Sequence, residues 1–140
     1  MFHLSNHENF FEMFVAVEEE SKLPSFGDAR LEVSASSQGF EGKAAAWAHA
    51  EEMKNFCLGL VTLNQTLSGE AKLSSMSPNE LELIVFASNS RGHLAVEGSM
   101  GHHFIAENGS FWHSVSFGFE FEASQLASAV KSPWVQRYVG

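Results

Sequence analysis

The chain has 140 residues, the usual size of one domain with one core. Its 44% hydrophobic and 12% aromatic content supplies more packing material than a disordered chain carries. A formal charge of −9, from 17 acidic and 8 basic residues, repels phosphate backbones and argues against direct nucleic-acid binding. Without a basic, apolar leader or an apolar run of about 18 residues, neither secretion nor a membrane span is expected, and the cytoplasm is the default compartment.

In chain order, the residues before position 10, including His3 and His7, read as terminal and mobile. Phe11, Met13, Val15 and Val17 recur at every second position and predict a strand over Phe10–Glu18. Ser21 to Asp28, with Pro24 and Gly27, reads as a loop. Ala29, Leu31, Val33 and Ala35 repeat the alternation, with Arg30, Glu32, Ser34 and Ser36 on the opposite face, before a turn at Gln38-Gly39. Residues 41–48 are alanine-rich, which favours helix, but they follow a turn that invites the return strand of a hairpin; strand is preferred.

From Ala50 the period changes. Met53, Phe56, Leu60, Leu63 and Leu67 form one helical stripe closed by Gly69, with Glu51 and Glu52 in the first turn, where the helix dipole favours them. Four more strands are expected at Ala71–Ser74, Leu81–Ser88, His93–Phe104 and Phe111–Glu122. Ser77-Pro78-Asn79, Asn89 to Gly92 and Asn108-Gly109 separate them. Gly98, Ser99 and Gly101 are expected to bend or bulge the third of these. In the last, Phe111, Val115, Phe117, Phe119 and Phe121 share one face, and Trp112, Ser114, Ser116, Glu120 and Glu122 the other. A short helix over Ala123–Lys131 follows, stopped by Pro133.

Consecutive strands joined by short turns pair as antiparallel neighbours. The expected fold is therefore α+β: a single domain over residues 1–140 with its core at about 10–131. One meandering, mostly antiparallel sheet of about six or seven strands would carry one long and one short helix on one face. Glu32, Glu82, Glu97, Glu120 and Glu122 all fall on the phase opposite the apolar residues, and Trp112 shares it. These six residues are the candidate partner-binding set, on an open acidic face suited to a basic partner.

Chemistry-bearing constellations are sparse. His102 and His103 are strand neighbours and point to opposite faces. A two-residue loop at Asn108-Gly109 would instead set His102 and His113 on a diagonal of roughly 7–8 Å, long for shared coordination. Cys57 sits beside Phe56 on the helix and reads as a packing residue, with Glu51 and Glu52 nearby opposing a reactive thiolate. Asp28 is the one aspartate, and no nucleophile elbow, phosphate loop, dinucleotide fingerprint or spaced Cys set is present. The reading is of a binding protein, not an enzyme, with no cofactor and no metal.

Local sequence sharpens this. Ala29 to Val33, Gly39-Phe-Glu-Gly42, Leu60-Val-Thr-Leu-Asn-Gln-Thr-Leu-Ser-Gly69-Glu-Ala-Lys-Leu73, Gly92-His93 and Phe117-Gly-Phe-Glu-Phe121, in that order, resemble the WapI-type immunity proteins of bacterial polymorphic and contact-dependent toxin systems. Two departures stand out. Glu122-Ala-Ser-Gln125 replaces the family's frequent Asp-Gln-Thr, and Gly98 to Ser114 is longer than usual, where a partner loop would vary. The resemblance implies a protein that binds and neutralises a cognate toxin domain, such as a nuclease with a basic groove. The alternative is a non-enzymatic small-molecule binding module with a pocket between the helices and the Phe-rich sheet face.

Overall fold

The computed structural model describes residues 1–140 and contains eight strands and three helices. β1 (Phe2–Asn6), β2 (Asn9–Val17), β3 (Ala29–Ser37) and β4 (Phe40–Ala48) form one antiparallel meander. After α1 (Ala50–Thr66), a second meander comprises β5 (Glu70–Ser74), β6 (Leu81–Ala87), β7 (Leu94–Ala106) and β8 (Gly109–Phe121). α2 (Ala123–Ala129) and α3 (Pro133–Val139) follow.

The fold is α+β, but the single sheet of six or seven strands is corrected to two sheets of four. The reason is α1: its 17 residues carry the chain roughly 25 Å at about 1.5 Å per residue, so β4 and β5 never become ladder neighbours. Residues 41–48 do form a strand. Gln38 and Gly39 both take positive φ (54° and 84°), the twist that returns a hairpin directly, and the alanines of β4 then pack as a thin inner face. α1 ends at Leu67, in the left-handed region with its N–H on the Leu63 carbonyl, and Gly69 (φ 88°) completes the exit.

The core extends past both ends of the expected 10–131. Phe2 and Leu4 are fully buried, and Phe2 meets Phe11, Phe56 and Trp134 edge-to-face at centroid distances of 6.1, 6.2 and 6.0 Å. His3 therefore lies in a strand, with Nδ1 3.2 Å from the Glu12 carboxylate, and His7 (φ 56°) in a tight turn; neither is a loose end. Pro133 begins α3 rather than merely ending α2, its fixed φ and missing N–H suiting the first helical turn. Trp134, Val135 and Tyr138 then bury against the rest. One hydrophobic cluster draws on both sheets and all three helices. Phe56 and its neighbours occupy the space between helices and sheet where a ligand pocket was the alternative.

Several backbone groups along the sheet edges are bonded by other parts of the chain. The Gln125 amide accepts from the Ser5 N–H (2.7 Å) and donates to the Ser5 carbonyl (2.9 Å), acting as a surrogate strand for β1. Glu52 of α1 accepts from the Ser74 N–H on β5, and the Met76 N–H donates to the Trp47 carbonyl on β4. On β8, Ser37 Oγ donates to the Gly118 carbonyl (3.0 Å) and Asn6 Nδ2 to the Glu120 carbonyl (2.7 Å). Each bond satisfies a group that an open edge would expose.

Candidate interaction surface

Cross-strand register defines the outer face of the second sheet. Glu70, Phe86, Ala95 and Glu120 form one row; Lys72, Ile84, Glu97 and Gly118 the next; Ser74, Glu82, Ser99 and Ser116 the third. Four carboxylates thus face one ammonium, and that ammonium, Lys72, lies 3.3 Å from Glu70. Glu97 and Glu120 are exposed, whereas Glu82 is partly covered and accepts from Ser74 Oγ at 2.6 Å. Glu122, just past β8, stands at the N-cap of α2 without a side-chain capping bond, free for solvent or a partner.

Of the six candidate residues the structure brings Glu82, Glu97, Glu120 and Trp112 to this face, with Glu122 at its border. Glu32 lies elsewhere. It is on the outer face of the first sheet, paired with Arg30, because the two strand phases belong to different sheets.

Beyond Met100, β7 outruns β6 and continues with β8 as a two-stranded ribbon to the pair Ala106 and Gly109. Phe104, Ile105, Phe111 and Trp112 are exposed there, Ile105 to 81%. The alternation placed Phe111 in phase with the buried phenylalanines; the phase holds, but no second layer covers it. This cluster of apolar residues was missed in the sequence, where the unusual length of Gly98 to Ser114 was its one signal.

The turn occupies Glu107 and Asn108 rather than Asn108-Gly109, and neither Asn108 nor Gly109 takes positive φ. His102 therefore stands directly opposite His113, not on a diagonal, with the rings stacked at 5.8 Å. No group of three His, Cys, Asp or Glu side chains is placed to hold a metal. On the other side, Trp112 meets His103 edge-to-face at 5.0 Å and lies over Gly101, where a Cβ would come 2.8 Å from its Cε2.

The register through Gly98 to Gly101 is unbroken, so the expected bulge is absent. These glycines serve close approach instead: a Cβ at Gly98 would strike the Glu82 carbonyl and the Phe117 ring. Gly42 plays the same part between sheets, where a Cβ would sit 2.8 Å from Val115 Cγ1. That approach leaves a groove of about 490 Å³ between Glu41–Lys43 and the inner side of the ribbon, lined by Met100, His102, Phe104 and His113.

Cys57 is fully buried on α1, and burial pushes its thiol up to about 12, which makes it a packing residue and not a nucleophile. No helix is long and apolar enough to cross a membrane.

The model of the immunity protein WapI-like family matches residues 2–132. The chain belongs to the WapI-like immunity family. The matched span takes in both meanders, α1 and α2 of this WapI-like chain. No curated protein and no solved structure matches it.

Proposed function

We propose that this WapI-like chain acts in the cytoplasm by binding a cognate toxin domain and blocking it, through the outer face of its second sheet. Glu82, Glu97 and Glu120 form the centre of that face, with Glu122 and Trp112 at its margins. The family match carries the immunity role, and the carboxylate rows favour a toxin of basic surface, such as a nuclease whose groove holds nucleic acid. Such an inhibitor works by occupancy. It needs no catalytic group and no cofactor, only a face complementary in charge and shape.

Charge complementarity of this kind speeds encounter more than it slows escape. Glu97→Lys with Glu120→Lys is expected to lower the association rate for the cognate toxin at least tenfold at low salt, and the gap should narrow as salt rises. Stopped-flow binding measures both. Equal rates for wild type and variant at low salt would move the interface off this face, and failure of the wild type to bind or protect against a toxin encoded beside it would end the immunity reading.

A further inference from the structure

Along β8, the bonds from Ser37 to Gly118 and from Asn6 to Glu120 show that even-numbered residues direct their backbone N–H and C=O groups away from β7. The register with β7 is unbroken from Leu94 and Phe121 to Ala106 and Gly109, so the alternation carries on to Ser116, Ser114, Trp112 and Ser110. There it meets nothing. No strand, side chain or loop bonds their outward groups; the β4 edge is also unbonded at Glu41, Lys43 and Ala45, but charged side chains guard it there, and β1, β5 and the far end of β8 each have an edge residue bonded within the chain. This open stretch spans roughly 20 Å at about 3.4 Å per residue. It also carries none of the usual guards of a free edge, since Gly109 to Phe119 contains no charged residue and no proline.

We propose that this edge pairs with the same edge of a second copy, antiparallel over Ser110–Ser116, to make a symmetric dimer with a continuous sheet. Two observations select a second copy over a foreign strand. An antiparallel edge is complementary to itself, so a two-fold axis needs no other sequence. And two chains of charge −9 repel each other across most approaches, but here they meet through an uncharged run, which offers a basic partner no attraction.

The two-fold stands perpendicular to the sheet, so both glutamate faces lie on the same side and stay open. That register sets Trp112 opposite Ser114 of the second copy on one side and Phe111 opposite Val115 on the other, and would cover apolar surface that is now exposed. A strand pair of this length falls below the roughly 1,200 Å² of a stable interface, so the dimer is weak and reversible.

Sedimentation of the full chain from about 1 µM to about 500 µM tests this, at low salt and at about 0.3 M salt. The expected result is a reversible monomer–dimer equilibrium that tightens at higher salt as the net repulsion is screened. Amide exchange at Trp112 and Ser114 should slow with protein concentration. Ser114→Pro removes one outward N–H and leaves the bonds to β7 intact; it should weaken the dimer at least tenfold.

A monomer at every concentration with fast-exchanging edge amides overturns the proposal, and so does a dimer unaffected by Ser114→Pro. Amides that become protected only when toxin is added would assign the edge to a strand of the toxin, which also overturns it. The exchange measurement needs no variant, so it decides the matter even if Ser114→Pro fails to fold.

Discussion

Tyr138 and Cys57 both hold their protons more tightly in the folded chain than free in water. Burial pushes each up to about 12, from ordinary values of 10.0 and 9.0, and at Tyr138 this outweighs the opposing charge of Arg137. A folded-state pKa above the unfolded one means that the native state binds the proton more tightly. The associated stability is complete below about pH 9 and is lost as pH climbs from there towards about 12.

Urea midpoints should therefore fall between about pH 8 and about pH 10.5, and Cys57→Ala should flatten the portion that begins near pH 9. The Tyr138 hydroxyl also donates to the Gly27 carbonyl at 2.6 Å in a buried setting. Tyr138→Phe leaves that carbonyl without its donor and is expected to cost about 1–2 kcal/mol in urea denaturation. Cys57 was legible as a packing residue from its place on the helical stripe. Tyr138 was not, because Pro133 read as the end of structure rather than the start of α3.

At the scale of elements, Gln125 shows how much a single side chain can settle. It presents one donor and one acceptor to Ser5 in the spacing of a neighbouring strand, so Gln125→Ala opens the β1 edge and strips both backbone groups of their partners. A loss of about 1–3 kcal/mol is expected, with faster amide exchange at Ser5 as the local signature.

Strands β2, β3 and β8 were legible from alternation, and β6 and β7 from the turn residues that bound their runs. β1 was not, since Phe2 and Leu4 are too few to set a period before the His7-Glu8 turn. The ribbon register escaped for a different reason. Moving the turn one residue earlier shifts every cross-strand partner by two, which keeps each side chain on its face and leaves no trace in the pattern.

For the whole molecule, sequence periodicity ranks residues by face but does not say which sheet owns the face. Glu97 and Glu120 were read together correctly, and Glu32 was grouped with them because nothing in its alternation records that α1 divides the sheets. The same division supplies a control. Glu12→Lys with Glu32→Lys changes net charge as much as Glu97→Lys with Glu120→Lys, but on the first sheet's outer face. If position and not total charge governs encounter, toxin association should slow several-fold more for the second pair than for the first at low ionic strength.

The clasp between Ser5 and Gln125 joins residues 120 positions apart, and this gives the molecule a timetable. A ribosome adding about 5–20 residues each second needs roughly 6–24 s to travel from one to the other. Throughout that interval β1 exists with a naked edge, and the Phe117 ring that stacks on Phe11 at 5.2 Å has yet to be made for most of it. β1 thus waits on α2, and its edge is secured only after the whole second meander has been made.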